Sequence, residues 1–151
     1  MKELNVKLKT TKQLPDERQA AINIMLSNAH VKDTLLNELK PFGLSLEQFN
    51  VLRILRGQKG NPLNLQDVQE RMVSKMSNVT RLIDKLILKK LVKRKQCSEN
   101  RRKIELSITE DGLKQLKIID PKIDAAEKKV VSNLTKEELK QLNKLLTKIG
   151  A

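Results

Sequence analysis

The apolar positions of the chain fall into blocks of helical spacing, interrupted once by a block that alternates. After Pro15, Ile22, Met25, Leu26 and Ala29 are followed by Leu35, Leu36 and Leu39, which predicts one long helix ending near Pro41, Phe42 and Gly43. A second helix is expected from Ser45, whose hydroxyl can cap the first turn while Gln48 reaches back to it. Phe49, Leu52 and Leu55 line its inner face, and turn formers between residues 57 and 62 then break the pattern. Asn64 can cap a short helix that turns Leu65, Val68 and Met72 inward. After a tight connection Ser77 opens the most regular helix of the chain, with Val79, Leu82, Ile83, Leu86 and Ile87 as its apolar stripe. Two consecutive helices joined by a few residues, the second cleanly amphipathic, predict a helix-turn-helix.

At Leu91 the period shortens to two. Residues 91–96 alternate loosely, and residues 103–108 alternate strictly, with Ile104, Leu106 and Ile108 on one face. The polar run Cys97-Ser98-Glu99-Asn100-Arg101-Arg102 between them reads as a hairpin tip, so a two-stranded wing follows the helix-turn-helix. From Asp111 the helical period returns through Leu113, Leu116, Ile119, Ile123, Ala126 and Val130, and Pro121 is expected to kink or interrupt it. Thr135 and Glu138 form a capping box for a last helix with Leu139, Leu142, Leu145, Leu146 and Ile149 on one face. The expected fold class is mainly α (α+β). A winged helix-turn-helix domain at residues 44–112 lies between an N-terminal arm and helix (1–43) and C-terminal helices (113–151). The flanking helices carry more apolar face than a small wing domain can cover, which points to a dimerisation domain and a homodimer.

Charge narrows the class of partner. The chain has 151 residues, a formal net charge of +13 and a 38% hydrophobic share, so it is a folded basic domain rather than a disordered basic tail. Such a charge attracts polyanions. Trp and Tyr are absent, and Phe42 and Phe49 are the only aromatics, whereas proteins that read single strands stack bases on aromatic rings. Double-stranded DNA, gripped through charge and groove fit, is the favoured partner. A basic protein-interaction or nonspecific nucleic-acid-binding module on the same fold is the alternative.

Other chemistry finds little support. Cys97 is the only cysteine, which excludes an internal disulfide and a Cys-rich metal site and fits a reducing cytoplasm. No apolar run approaches the ~20 residues of a membrane span, and the N-terminus lacks a signal peptide's apolar stretch, so a cytoplasmic protein without a membrane partner is expected. His30, the only histidine, has no ligand partner at metal spacing and reads as an ordinary polar position. No nucleophile–base pair or phosphate-cradling Gly loop appears, so an enzyme is the weakest reading, and no cofactor or metal is expected.

The candidate DNA contacts fall in two groups. On the recognition helix they are Ser74, Lys75, Ser77, Asn78, Thr80, Arg81 and Lys85. Ser77 reads chiefly as the cap, whereas Asn78, Thr80 and Arg81 are suited to base edges, since Asn can pair with adenine and Arg with guanine. On the wing they are Lys93, Arg94, Lys95, Asn100, Arg101, Arg102 and Lys103, residues suited to phosphates, with Arg101 or Arg102 able to enter a minor groove. Cys97 lies beside basic residues that lower a thiol pKa, although a lone strand-end cysteine is more often an inert small hydrophobe.

The segment from Leu44-Ser45-Leu46-Glu47-Gln48-Phe49 through Val79-Thr80-Arg81-Leu82-Ile83-Asp84-Lys85-Leu86 resembles the MarR family of bacterial regulators. So do the wing Asn100-Arg101-Arg102 and the following Leu106-Ser107-Ile108-Thr109-Glu110-Asp111-Gly112, which together extend the resemblance over roughly residues 44–113. It implies a dimer with two wings, a pseudo-palindromic operator, and usually repression relieved by a small-molecule effector or an oxidant. Two positions depart from the pattern. Asn100 stands where the family commonly has Asp, which removes an ion pair to Arg102. Lys90 stands where the family often has Gly, the residue suited to a left-handed helix end, so strain or a different turn is expected there. The family's redox-sensing members that resemble this chain keep a reactive cysteine in the first helix, and this chain has none there.

Overall fold

Helix boundaries follow the caps legible in the sequence. In the computed structural model, which describes residues 14–73, 78–96 and 104–149, α1 spans Asp16–Leu39 and passes into a 3-10 turn at Lys40–Phe42. Gly43 closes that turn at a left-handed φ of 61°. In α2, Leu46–Gly57, Ser45 Oγ accepts from the Gln48 N–H at 3.2 Å, and Gln48 Oε1 accepts from the Ser45 N–H at 3.0 Å. Asn64 and Asp67 make the same reciprocal pair at the start of α3, Leu65–Arg71. The recognition helix is α4, Val79–Leu88, and the ribbon strands are β1, Val92–Gln96, and β2, Ile104–Ile108. Thr109 caps α5, Glu110–Val130, and Thr135 with Glu138 opens α6, Lys136–Ile149.

Two boundaries differ from expectation. The recognition helix begins at Val79 rather than Ser77, and Asn78 occupies the N-cap position without a side-chain cap bond. Val79 is buried in the core, so packing holds the first turn of this helix. The run through Pro121 is one uninterrupted helix. A helix-interior proline costs ~3 kcal/mol or more. Leu116, Ile119 and Ile123 are buried on both sides of it, each contributing roughly 1.5–3 kcal/mol, and together they outweigh that cost.

One core joins the winged unit to the flanking helices. Phe49, Val51, Leu52 and Leu55 of α2 meet Val68, Val79, Ile83 and Leu86 of the helix-turn-helix, with Leu39 from α1 and Leu116, Ile119 and Ile123 from α5. The strands pair antiparallel, with Val92 opposite Ile108, Arg94 opposite Leu106 and Gln96 opposite Ile104. Leu63 adds a bridge to Leu106, its N–H donating at 3.0 Å and its carbonyl accepting at 2.7 Å. The β2 face expected to be apolar is graded: Leu106 is buried, Ile108 half-buried and Ile104 exposed.

Thr109 ties the end of α4, the ribbon and the start of α5 together. Its hydroxyl donates to the Lys90 carbonyl at 2.7 Å and accepts from the Gly112 N–H at 3.0 Å, while its own N–H donates to the Leu91 carbonyl at 3.0 Å. Lys90 adopts a left-handed φ of 61°, so of the two outcomes expected there, strain or a different turn, the backbone takes the strained one. A second tie is the ion pair of Arg56 on α2 with Asp120 on α5, both side chains about one-third exposed. By contrast, α1 buries only Leu39 and α6 buries nothing, leaving Ile24, Met25, Leu142, Leu145, Leu146 and Ile149 exposed. Among the described residues no helix is long and apolar enough to cross a membrane.

Candidate nucleic-acid interface

The apolar stripe of α4 decides what the helix shows to the outside. Val79, Ile83 and Leu86 point into the core, so Asn78, Thr80, Arg81, Asp84, Lys85 and Leu88 are left exposed. At about 100° per residue these positions fill one arc of roughly 160°. Its two flanks meet different neighbours. Thr80 and Asp84 line a narrow hollow with Leu65, Ile83, Arg94, Ile104 and Leu106, on the side of the ribbon. Asn78, Arg81, Leu82 and Lys85 face the first turn of α2 across a cleft of about 300 Å³ that Ser45 and Gln48 complete.

Strand register sorts the wing cations. Val92 and Arg94 share the inward face of β1, and Arg94 Nη1 lies 3.5 Å from Asp84 Oδ1 on α4. Both side chains are about half exposed, so the pair is worth well under ~1 kcal/mol and links the ribbon to the recognition helix only weakly. Arg94, expected as a phosphate contact, thus has an acidic neighbour on α4 and remains half exposed. Lys93 and Lys95 project from the opposite face, around a hollow shared with Gly60, Pro62, Glu105 and Ser107. Lys95 stands directly opposite Glu105 across the ribbon.

Of the expected contact residues, the structure places Asn78, Thr80, Arg81 and Lys85 on the outward arc of α4, and Lys93, Arg94 and Lys95 on β1. Ser74, Lys75 and Ser77 lie outside the described residues, as do Cys97, Asn100, Arg101, Arg102 and Lys103. Three residues near the interface had no part in the sequence reading of DNA contact. Asn50 Oδ1 accepts from the Val73 N–H at 3.2 Å and anchors the exit from α3 to α2. Asp84 was detectable as an acid on an otherwise basic outward face. Gln48 was legible only as a capping residue.

His30 lies elsewhere, in a groove of about 560 Å³ between α1 and α5 that Thr34, Lys122, Ala126 and Lys129 also line. Among the described residues no group of three or more His, Cys, Asp or Glu side chains is placed to hold a metal ion.

The sequence model of the MarR family matches residues 44–104, a span that runs from the start of the core before α2 to the first residue of β2. The HTH-type transcriptional regulator MhqR of Bacillus subtilis (strain 168) is 29% identical over 136 residues, covering 89% of this chain and 92% of that protein. The HTH-type transcriptional repressor MdtR of the same strain is 28% identical over 143 residues, covering 95% of this chain and 90% of that protein. Among solved structures, AbsC, a MarR family transcriptional regulator from Streptomyces coelicolor, superposes with a TM-score of 0.78 at 29% identity, covering 93% of this chain and 96% of that one.

Proposed function

We propose that this chain, which belongs to the MarR family, is a transcription repressor that grips duplex DNA through α4 and the β1–β2 ribbon. The observation that carries this reading is the outward arc of α4. It presents Asn78, Thr80 and Arg81, side chains able to address base edges, above a core that holds the helix rigidly. Lys85, Lys93 and Lys95 supply phosphate contacts that set position without reading sequence.

The protein acts as a homodimer in this reading. The uncovered apolar faces of α1 and α6 support it, because a monomer would leave Met25, Leu142, Leu145, Leu146 and Ile149 in water. Two copies related by two-fold symmetry would then meet a pseudo-palindromic operator. Leu145→Glu is expected to convert the dimer to a monomer in sedimentation velocity. Release by a small-molecule effector belongs to the same proposal, and the groove between α1 and α5 offers it space.

Selection from random duplexes with the purified protein tests the function. A two-fold symmetric consensus, bound far more tightly than random duplex at physiological salt, is the expected result. Equal binding to every sequence would overturn the repressor reading in favour of a nonspecific basic module.

A further inference from the structure

The cleft between α4 and the first turn of α2 carries cations and no acid in its lining. Ser45, Gln48, Asn78, Arg81, Leu82 and Lys85 form it, and none of them is acidic; Glu47, the acid of that turn, is not part of the lining. Gln48 is 6% exposed, a polar side chain placed among core residues. Its Oε1 is spent on the Ser45 N–H. Its Nε2, which carries two hydrogens, has no partner among the described residues, although the side chain opens on the cleft. A capping role engages the oxygen of this amide and leaves the nitrogen open to the solvent of the cleft.

The surroundings of that nitrogen favour an anion. Arg81 and Lys85 stand one helical turn apart on the opposite wall. Ser45 Oγ accepts from the Gln48 N–H and retains its own hydrogen to donate. The first-turn amides of α2 have no intrahelical acceptor and add partial positive charge at the same end. Side chains able to donate thus line this space from both helices.

We propose that this cleft seats one phosphodiester of the DNA backbone, held by Gln48 Nε2 and Lys85 Nζ, with Arg81 as the wall toward the major groove. The proposal rests on the duplex-binding reading and refines it. Gln48 reads no base; it adds a backbone contact that holds the protein on the duplex whatever its sequence.

Gln48→Glu separates the two roles of this side chain. A glutamate still accepts from the Ser45 N–H, so the capping box is preserved, and thermal unfolding reads any cost of a charge at this buried position separately from binding. The second carboxylate oxygen replaces the amide donor with a negative charge in the cleft. Affinity for the selected operator and for a random duplex of equal length is expected to fall by the same factor, about tenfold or more. The slope of log K against log salt is expected to shrink by about 0.9 for each phosphate lost per subunit. Lys85→Gln, at an exposed position, is expected to give the same uniform loss. A scan of operators carrying one methylphosphonate each should find a position that weakens the wild type about fivefold and leaves Gln48→Glu unaffected.

The outcomes are distinguishable. If the wild type prefers its operator and Gln48→Glu binds it with unchanged affinity and salt slope, the phosphate seat is wrong and the repressor reading stands. A loss confined to the operator and absent on random duplex would also overturn the seat, since it would make Gln48 a determinant of sequence. Inorganic phosphate that shifts the Gln48 side-chain amide resonance without competing with duplex would assign the cleft to a free anion instead. A wild type that retains no duplex at all would overturn the repressor reading itself.

Discussion

Replacing Lys90 by glycine is expected to stabilise the protein. Lys90 sits at φ 61° between the end of α4 and β1. An L-residue held in this left-handed region costs roughly 1–2 kcal/mol, which glycine escapes. Glycine gives back about 0.4–1 kcal/mol through the greater freedom of its unfolded chain. The difference leaves a gain of about 0–1.6 kcal/mol, centred near 0.8. Both hydrogen bonds of the residue survive the change because they are made by its backbone: the N–H to the Ile87 carbonyl at 2.8 Å, and the carbonyl from Thr109 Oγ at 2.7 Å. The side chain is exposed and forms no ion pair among the described residues, so little packing is lost. Lys90→Ala is the control, since it removes the same charge and chain but keeps the left-handed cost. Urea unfolding at fixed protein concentration should rank Lys90→Gly above the wild type and above Lys90→Ala. The melting temperature should follow by about 2–4 °C per kcal/mol. A glycine variant no more stable than the alanine variant would refute the argument, because the two differ only in backbone freedom and one methyl group.

Other expectations concern the ribbon, the reading face and α6. A Cβ at Gly112 would lie 2.5 Å from the Leu91 carbonyl oxygen and 2.7 Å from Ile108 Cγ1, so Gly112→Ala should cost about 1–3 kcal/mol in thermal unfolding. Arg81→Ala should weaken operator binding and flatten sequence preference in a competition assay, whereas Lys93→Ala should mainly lower the salt slope; a uniform loss across sequences from both would misplace the reading face. Hydrogen bonds from the Thr135 backbone N–H, and then from its hydroxyl, hold the Glu138 carboxyl below the usual glutamate range. A carboxylate lowered on folding contributes stability above its unfolded pKa and loses it as pH falls through the folded value. The start of α6 should therefore fray only on strong acidification, and Glu138→Gln should abolish that dependence. The pH profile of the Thr135 amide resonance measures it, and a midpoint at or above the ordinary glutamate value would contradict the assignment.

What was legible in the sequence was local. Ser45 with Gln48 and Thr135 with Glu138 each specify a helix start within four residues and form the reciprocal bonds their spacing allows, and Asn64 caps its helix as expected, with Asp67 as a partner that the sequence reading did not name. The five apolar residues of α4 likewise announce their own inner face. What was not legible depended on partners distant in sequence. Val79 holds the first turn of the recognition helix because that side chain finds the core, and α5 passes Pro121 because Leu116, Ile119 and Ile123 are buried around it. The bridge of Leu63 to Leu106 and the contact of Arg94 with Asp84 are pairings across the fold, which no periodicity encodes. Gln48 is the instructive case. Its oxygen follows a local rule, while its nitrogen has meaning only once α4 is laid beside it.

The Thr109 junction also has a mechanical consequence. At its N-terminus α5 is bonded to Lys90 and Leu91, the residues that link the recognition helix to the ribbon. With 21 residues it is about 31 Å long. A rod of that length works as a lever: tilting it by about 4° about its far end carries the junction through roughly 2 Å, more than half of the ~3.4 Å rise between base pairs. Recognition helix and ribbon would travel together, with no change inside the winged unit. Small adjustments among the distant helices would thereby be magnified at the recognition helix.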